Sequence, residues 1–250
     1  MSKFELDYQR LLLDIIENGV LTENRTGVKA LKLFNKSMNI DLNDGFPIIT
    51  GKCIDFEYAK TEFEWIMSGD THVKFLQKRG VNWWNNFADK DGNLGRIYGY
   101  QLRKFNGVFD QYNHVIKEIK NNSRRAVITF WNPCDLEHQS LPCCYTSFNF
   151  VRIKDELNMV MNFRSSDVFL GLPYDIVVGA LMLIKLAKET GLKPRFLGLN
   201  LADAHFYENH YEPFKKYFLK KTYPLPIYSH VTESLFNYKS GPFIKAELNL

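Results

Sequence analysis

Apolar residues recur along the chain with two different periods, one typical of helices and one typical of strands. Residues 4–18 carry Leu12, Ile15 and Ile16 on one side and end before Gly19, which predicts a helix with a glycine cap. Similar spacing predicts three more helices, at residues 56–68, 111–121 and 175–190. A glycine follows two of them directly, which indicates where they end.

Alternation of apolar and polar residues predicts the strands. It runs through residues 28–42 with a break near Asn35, whereas residues 126–131 are almost continuously apolar, as in a buried strand. Further strands are predicted at residues 145–152, 157–163, 195–202 and 244–250. Because helices and strands mix without regular βαβ alternation, we expect an α+β or irregular α/β layered fold. No linker or repeat is visible, so residues 1–250 are expected to form a single domain.

Composition narrows the class of protein. The chain has 250 residues, of which 45% are hydrophobic and 24% charged, a profile that excludes disordered, collagenous and disulfide-scaffold proteins. No apolar run approaches the roughly 20 residues of a membrane span, and the first residues lack the apolar stretch of a signal peptide. The four cysteines show no CxxC spacing, so we expect a cytoplasmic protein with free thiols. A net charge of +4 fits a small anionic ligand at least as well as nucleic acid.

The adjacent residues Cys143 and Cys144 are the first candidates for chemistry. A cysteine is a nucleophile as the thiolate, which nearby cations stabilise, and the chain has several arginines that could supply them. On their own, adjacent cysteines are more often small buried residues without chemistry. A metal site is disfavoured, because two adjacent thiols cannot easily point at one ion and no other ligand motif accompanies them.

Other polar residues lie next to predicted elements. Arg124 and Arg125 precede a strand, where two guanidinium groups suit a phosphate, although paired arginines are also common on solvated surfaces. Asp175 lies near the start of a helix, where a carboxylate also serves as a cap. His205 and Tyr207 share one side of an extended segment, so they either bind a sugar hydroxyl together or are satisfied by backbone groups.

Together these motifs resemble the thymidylate synthase family along almost the whole chain. The matching segments occur in the family's order and near its spacings, so many weak matches combine into a strong one. They are Asn24-Arg25-Thr26-Gly27, Asp44-Gly45-Phe46-Pro47, Glu62 with Trp65, Gly69-Asp70-Thr71, Leu94-Gly95 with Tyr98-Gly99, Ser123-Arg124-Arg125, Pro142-Cys143, Arg164-Ser165, Asp167-Val168-Phe169-Leu170-Gly171-Leu172-Pro173, and His205 with Tyr207 and His210. The resemblance implies a mixed sheet packed by helices, with the back of the sheet forming a dimer interface.

The resemblance also implies roles for these residues. Cys143 would add to C6 of a pyrimidine, so that C5 becomes a carbanion equivalent and attacks the one-carbon unit of 5,10-methylenetetrahydrofolate. Glu62 would organise water and proton transfer near the base, and Tyr98 would line the site. The substrate-binding residues implied are Arg25, Arg124, Arg125, Arg164 and Ser165, with His205 and Tyr207 at the ribose 3′-hydroxyl. The folate-binding residues implied are Asp167, Trp84, Gly171 and Leu170, and no metal is implied.

The phosphate site is expected to need two subunits. Arg25 and Arg164 would hold the nucleotide phosphate, while Arg124 and Arg125 would reach it from the partner subunit of a homodimer. Arg164 is also expected to lower the pKa of Cys143.

Asp175 matches the asparagine with which the family reads uracil, and this departure predicts the substrate. Uracil offers a donor at N3 and an acceptor at O4, whereas cytosine reverses both. A carboxyl group that accepts from the cytosine amino group and shares a proton with N3 therefore fits dCMP. A mismatched buried donor costs roughly 1–3 kcal/mol, which is enough to choose between the bases. The phage deoxycytidylate hydroxymethylases of this family are similar in carrying aspartate here.

Other departures accompany this one. Cys144 stands where the family has a histidine that helps the water network around uracil O4, which also indicates a substrate other than dUMP. Phe163 replaces a polar residue, and no effect of this change is predicted. Because Asp175 and cytosine N3 must share a proton, we expect a raised pKa for the pair and tighter dCMP binding toward mildly acidic pH.

The C-terminal segment bears on the product. Synthases of this family end in a tail that closes over the folate and keeps water out. Either Ile244-Lys245-Ala246 matches a triplet of that tail and the preceding strand is deleted, or residues 243–250 are that strand and the tail is missing. Alternation favours the second alignment, because deleting a strand would expose a sheet edge. Water would then add to the exocyclic methylene group to give 5-hydroxymethyl-dCMP, whereas hydride transfer, which needs a dry site, would give a methyl group.

The expected activity is therefore that of a deoxycytidylate 5-hydroxymethyltransferase, and the resemblance to the phage enzymes implies a host-cytoplasm location and phage DNA modification. A dCMP methylase and a thymidylate synthase that tolerates aspartate remain alternatives. A non-catalytic nucleic-acid-binding protein using Arg124 and Arg125 is disfavoured, because the nucleotide-binding set is complete and the net charge is small.

Overall fold

A seven-stranded mixed sheet forms the centre of the structure, a computed structural model that describes residues 1–218 and 220–249. The strands are β1 (Val20–Thr22), β2 (Ala30–Asp41), β3 (Val127–Thr129), β4 (Tyr145–Ile153), β5 (Glu156–Phe163), β6 (Ser166–Asp167) and β7 (Lys193–Tyr207). They lie in the order β1-β2-β7-β5-β4-β3, and β6 pairs with β7 beside this path. β7 runs parallel to β5 and β6, while the other pairs are antiparallel. A separate hairpin consists of β8 (Ile227–Ser229) and β9 (Ser234–Phe236).

Helices cover the sheet and connect its strands. They are α1 (Lys3–Asn18), α2 (Phe56–Ser68), α3 (Lys74–Gln77), α4 (Tyr98–Lys104), α5 (Gln111–Lys120), α6 (Leu172–Thr190) and α7 (Tyr211–Tyr217). Short 3₁₀ helices lie at Leu42–Asp44, Trp83–Phe87, Pro133–His138 and Glu208–His210. Side-chain caps start several helices: Ser2 accepts a hydrogen bond from the first turn of α1, and Asp55 does so at α2.

α6 packs against β5 and β7 and forms the middle of the core. Most of its residues are buried, which explains why its sequence is apolar almost all round. Gly179 faces Met161 and Leu197, and a Cβ at this position would collide with the sulfur of Met161. The glycine therefore lets the helix approach the sheet closely, and this approach brings the first turn of α6 to the strand ends.

The predicted helices are confirmed, with differences at their ends. α6 begins at Leu172, so Asp175 lies within its first turn. Gly69 ends α2 in the left-handed conformation, with a φ of 77°. Gly19 instead ends α1 in an extended conformation, and a Cβ there would collide with the carbonyl oxygen of Ile15. Glycine is required after α1 because of this close approach rather than because of its φ.

The strand predictions are confirmed in part. β2, β4 and β5 lie where they were expected, and Asn35 breaks the regularity of β2 with a φ of 53°. β7 continues to Tyr207, so the residues expected after the strand belong to it. The buried strand predicted at residues 126–131 is wrong in extent, because β3 covers three residues at the edge of the sheet.

The terminal strand predicted at residues 244–250 is wrong for residues 244–249, and Leu250 lies outside the described residues. This segment forms no regular element; Ile244 is buried, and the backbone carbonyl of Glu247 accepts a hydrogen bond from His210 Nε2 at 2.8 Å. The period-two pattern was misleading, because one anchored apolar side chain is enough to hold an irregular segment against the core.

The face of the sheet opposite α6 carries amide side chains. Met161 points to α6, so its neighbour Asn162 points to the other face. There the Asn162 amide donates to Asn149 at 2.9 Å and accepts from Asn200 at 3.0 Å. Three neighbouring strands are thus joined by side chains as well as by backbone. The dimer interface expected on this face stays a prediction.

A buried carboxylate ties α1 to the segment that precedes α2. Glu5 has no exposed surface and accepts hydrogen bonds from the backbone N–H groups of Thr50, at 2.8 Å, and Gly51, at 2.9 Å. It also accepts from the hydroxyl groups of Thr50, at 2.8 Å, and Tyr217, at 3.0 Å. A single side chain therefore satisfies four donors from two other parts of the chain.

Replacing Glu5 with alanine is expected to destabilise the protein by roughly 3 kcal/mol, because four buried donors lose their acceptor at once. The free energy of unfolding should be measured by denaturant titration. Glu17→Ala, at the exposed end of the same helix, is the matched control and should change stability by less than about 0.5 kcal/mol. Equal small effects of the two substitutions would contradict the role given to Glu5.

Candidate active site

A cavity of about 290 Å³ opens at one edge of the sheet, where β4 begins and β5 and β7 end, beside the first turn of α6. Most of the residues expected to bind ligands line it. They are Arg25, Arg164, Ser165, Asp167, Leu170, Gly171, Asp175, His205 and Tyr207. A larger cavity of about 410 Å³ between α2 and α6 contains none of the predicted site residues. The sequence-based expectation and the geometry therefore converge on the cavity at the strand ends.

A second layer of expected residues lies behind the cavity wall. Cys143 has no exposed surface, and Tyr98 and Trp84 are also buried. The backbone N–H of Cys144 donates to Tyr98 Oη at 2.7 Å, and Trp84 Nε1 donates to Glu62 Oε1 at 2.7 Å. These hydrogen bonds hold Tyr98, Trp84 and Glu62 in place. None of these three residues, and not Cys143 either, is among the residues that line the cavity.

Arg124 and Arg125 lie apart from the cavity. Both are exposed residues immediately before β3, at the edge of the sheet. Within residues 1–218 and 220–249, neither forms an ion pair. Their expected contact with a phosphate in a partner subunit stays a prediction.

Arg164 joins the cysteine segment to the end of β5. Its Nε donates to the carbonyl oxygen of Cys143 at 3.0 Å and its Nη2 donates to that of Pro142 at 2.6 Å. Nη2 also lies 3.9 Å from the Cys144 sulfur. The backbone N–H of Arg164 donates to the carbonyl of Cys144 at 2.9 Å. The guanidinium group is therefore fixed at the cavity wall beside both thiols.

Arg164 lowers the pKa of Cys143, as expected, but a stronger effect raises it. Burial raises the pKa of the Cys143 thiol to about 12, and the nearby charge of Arg164 offsets only part of this rise. Desolvation dominates because the sulfur has no contact with solvent, whereas the guanidinium group is already hydrogen-bonded to backbone carbonyls. A thiolate at this position therefore requires the environment to change when a ligand enters.

Cys144 lines the cavity, which its sequence position alone did not indicate. Burial raises the pKa of its thiol, the negative charge of Asp175 raises it further, and Arg164 opposes the rise. Of the two cysteines, Cys144 is therefore the one that a ligand would contact first, and it is also the one that departs from the family pattern.

Asp175 projects from the first turn of α6 into the cavity. The capping alternative is not supported, since Gly171 occupies the cap and no side chain caps this helix. Among the described residues, the Asp175 carboxyl group has no hydrogen-bond partner in the protein. Burial, followed by the charges of Glu62 and Asp167, raises its pKa well above the ordinary value. The carboxyl group therefore faces the ligand space with its hydrogen-bonding capacity unused by the protein.

Glu62 is a second acid with a displaced pKa. Burial raises its pKa to about 7, against the opposing effect of its hydrogen bonds from Trp84 and Trp83. A carboxyl group with a pKa near neutrality is suited to accept and release a proton under working conditions.

Asp167 holds the turn between β6 and α6. Its Oδ1 accepts from the backbone N–H groups of Phe169 and Leu170, both at 3.1 Å. The residue also lines the cavity, together with Leu170 and Gly171. A carboxylate fixed in this way, next to an apolar side chain and a glycine, is compatible with a flat ring that carries N–H donors, as the pterin of folate does.

The C-terminal segment runs past the mouth of the cavity. Leu248 and Asn249 are among the lining residues, and Asn249 exchanges side-chain hydrogen bonds with Asn209, the shorter at 2.9 Å. The alignment in which the tail is missing rests on a strand that residues 244–249 do not form. A segment that reaches the site is what the alternative implies, in which Ile244-Lys245-Ala246 belongs to the tail. The argument that water has open access to the site assumed a missing tail, so it loses that support.

The geometry first defines a class: an α+β protein in which Cys144, Arg25 and Arg164 line one cavity at the ends of the central strands of a mixed sheet. The family model for thymidylate synthase matches residues 6–246. The chain belongs to the thymidylate synthase family, and the predicted fold is confirmed. Members are one-carbon transferases that take the carbon from methylenetetrahydrofolate and deliver it to a deoxypyrimidine nucleotide.

Two structural observations bear on other classes of protein. Over residues 1–218 and 220–249, no group of three or more histidine, cysteine, aspartate or glutamate side chains is arranged to hold a metal ion. In the same part of the chain, no helix combines the length and the apolar character needed to cross a membrane.

The burial of Cys143 predicts its reactivity in the ligand-free protein. At about pH 7 it should react with iodoacetamide far more slowly than the exposed Cys134, because almost none of it is thiolate. With a pKa of about 12, its rate should rise steadily as the pH is raised through about 8 to 10. Peptide mapping by mass spectrometry measures both sites in one sample. Modification of Cys143 as fast as Cys134 at neutral pH would contradict this account.

Proposed function

We propose that the protein transfers a one-carbon unit from 5,10-methylenetetrahydrofolate to C5 of dCMP, giving 5-hydroxymethyl-dCMP. The observation that carries the choice of base is Asp175, whose carboxyl group lines the cavity without a hydrogen-bond partner among the described residues and has a pKa raised by burial. A carboxyl group that the protein leaves without a partner at a cavity wall supports a ligand with a complementary edge.

Cytosine supplies this edge. A protonated carboxyl group offers one donor, for the N3 acceptor of cytosine, and one acceptor, for its amino group. A protonated carboxyl group matches uracil as well once its two oxygens exchange roles, so the discrimination between the bases depends on the ionised form. When the acid loses its proton, cytosine is able to carry the shared proton on N3, whereas uracil O4 is left facing a carboxylate oxygen. The preference for dCMP is therefore expected to widen as the pH rises.

The raised pKa of Asp175 also changes the expected pH dependence of binding. If the free acid already holds the proton, dCMP binding does not require proton uptake in the mildly acidic range. Affinity for dCMP is then flat at low pH and falls as the pH rises through the raised pKa of Asp175.

The covalent step is assigned to Cys143. Its sulfur forms a bond to C6 of the base, and C5 gains the electron density with which it attacks the one-carbon unit. Arg25 and Arg164 bind the phosphate from the cavity wall, which Ser165 also lines. Glu62, with a pKa of about 7, moves protons near the base, and Tyr98 holds the cysteine segment through the backbone N–H of Cys144.

The folate is assigned to the part of the cavity next to α6. Asp167 would accept hydrogen bonds from the pterin, while Leu170, Gly171 and the buried Trp84 would border its rings. Bound there, the folate supplies the carbon atom that becomes attached to C5. The chain's own contribution is to hold the two substrates in contact and to control the water around them.

Water access determines the product. Leu248 is 41% exposed, so the tail follows the rim of the cavity, which favours addition of water and a 5-hydroxymethyl product. The second candidate is hydride transfer to give 5-methyl-dCMP. It is favoured by the anchoring of the tail through Glu247 and Asn249, since an anchored tail is able to keep water out.

The homodimer is part of the proposal. Arg124 and Arg125 are exposed and leave their guanidinium groups available for a partner's phosphate site. A dimer formed through the amide-bearing face of the sheet would create two equivalent sites.

A turnover assay tests the proposal directly. With methylenetetrahydrofolate, the protein should turn over dCMP faster than dUMP, and the product mass should correspond to added hydroxymethyl. A methyl product, with dihydrofolate detected by its absorbance, would select the second candidate. Cys143→Ser should lower turnover by at least about 10³-fold, whereas Cys134→Ser, at an exposed thiol, should leave it unchanged.

Turnover of dUMP alone would refute the proposed base. Salt-dependent binding of RNA or DNA that survives Cys143→Ser, without turnover of either nucleotide, would favour a binding protein instead.

Asp175→Asn should move the preference toward dUMP. Loss of one matched buried hydrogen bond and gain of a mismatched one corresponds to a change of about 10- to 100-fold in the ratio of kcat/KM values for the two nucleotides. Asp91→Asn, at an exposed loop position, is the control and should leave the ratio unchanged.

Stability gives a second measurement on the same variant. The folded protein holds a proton on Asp175 that the unfolded chain loses at a lower pH, so wild-type stability falls as the pH rises between these values. Asp175→Asn should remove this decline. A variant that folds, lacks the decline and keeps the wild-type preference for bases would refute the specificity role of Asp175.

A further inference from the structure

Lys32 lines the same cavity as His205 and Tyr207, although sequence analysis gave it no role. It lies on β2 directly opposite His205 on β7, in the antiparallel register of the two strands. Residues that face each other in this way have neighbouring side chains on one face of the sheet. Asp203, two residues before His205 on the same strand, points to that same face.

The three side chains form a continuous chain of contacts. Lys32 Nζ lies 2.8 Å from Asp203 Oδ2, and the other oxygen, Oδ1, lies 3.1 Å from His205 Nδ1. Ser165 Oγ is more distant from the same nitrogen, at 3.5 Å. The carboxylate is therefore the main partner of Nδ1, and a carboxylate only accepts, so Nδ1 carries the hydrogen.

A hydrogen on Nδ1 leaves Nε2 of the neutral imidazole as an acceptor. His205 and Tyr207 both line the cavity. They are the residues for which the family resemblance implies contact with the 3′-hydroxyl of the sugar. An accepting Nε2 would take the hydrogen of this hydroxyl group.

We propose that Lys32 is a positioning residue for the nucleotide sugar, acting through Asp203 to hold His205 in the tautomer that accepts a hydrogen bond from the 3′-hydroxyl. The inference rests on the proposed function, because it takes the ligand of this cavity to be a deoxynucleotide.

Asp203 needs the lysine because it is one-third exposed and free to turn toward solvent. Burial by itself would raise the Asp203 pKa, but hydrogen bonds from His205 and Lys32 outweigh it and lower the pKa. The carboxylate therefore stays charged and keeps both partners. Without the cation, one of its two oxygens loses its protein partner, and the orientation of the carboxylate is no longer fixed from both sides.

The test compares two ligands that differ in one hydroxyl group, dCMP and 2′,3′-dideoxy-CMP. Wild-type protein should bind dCMP about 5- to 10-fold more tightly in calorimetry, which is the usual contribution of one such hydrogen bond. Lys32→Met should reduce this ratio to about 1 by weakening dCMP binding, and leave dideoxy-CMP binding unchanged. Lys32→Arg, which keeps the charge and the donors, should retain most of the ratio.

Lys36→Met is the matched control. Lys36 lies on the same strand and pairs with the Asp14 carboxylate on α1, away from the cavity. It should leave both affinities unchanged. In turnover, Lys32→Met should raise KM more than it lowers kcat, since the interaction lies far from the reacting C5 and C6 atoms.

A spectroscopic measurement is independent of any ligand. ¹⁵N NMR should find His205 protonated at Nδ1 in wild-type protein and in Lys32→Arg, and a mixture of tautomers in Lys32→Met. An unchanged tautomer in Lys32→Met, or equal loss of affinity for both ligands, would overturn the inference. If the protein binds dUMP rather than dCMP, the proposed base fails, and the same comparison with dUMP and dideoxy-UMP still decides the role of Lys32.

Discussion

The Arg164 guanidinium group is the interaction on which the site depends. It ties the carbonyl oxygens of Pro142 and Cys143 to the end of β5, at the point where β4 begins. Without these two hydrogen bonds, residues 142–144 would be a mobile lead-in to β4 rather than a fixed part of the cavity wall. Because the same cation lines the cavity, the group that positions the proposed nucleophile, Cys143, is also available to a phosphate.

The cavity brings together charges that oppose one another. Arg164 lowers the pKa of both cysteines, while burial raises the pKa of Cys143 more strongly, and burial together with the nearby carboxyl group of Asp175 raises that of Cys144. Two acids with raised pKa values, Asp175 and Glu62, face or border the same space. Burial therefore favours the neutral forms of the thiols and of both acids, and Arg164 offsets this effect only in part at the thiols. In the proposed function, a nucleotide with a phosphate and a cytosine edge would change this balance by bringing its own charge and hydrogen bonds into the cavity.

Sequence reasoning reached most of the fold because helices and the central strands have strong periodic patterns. It failed where tertiary context decides. The alternation in residues 244–250 is that of a strand, yet no neighbouring strand is available there, and the segment runs to the cavity instead. The cluster of site residues followed from motif order, whereas the part played by Lys32 depends on cross-strand register, which a single sequence does not contain. The raised pKa of Cys143 could not be predicted from the sequence either. It results from burial, and a sequence motif does not show how deeply a residue is buried.

The tail links the fold to the proposed choice of product. Residues 244–249 reach the cavity mouth and are held there by His210 and Asn209. In the proposed function, base recognition depends on Asp175 on α6 and water access depends on the tail, which are different parts of the chain. No described contact joins the tail to the Asp175 carboxyl group, so a change of base would not require a change of product, or the reverse. The proposed substrate and the proposed product are thus separate physical questions, and the role proposed for the acid at the helix start concerns only the first of them.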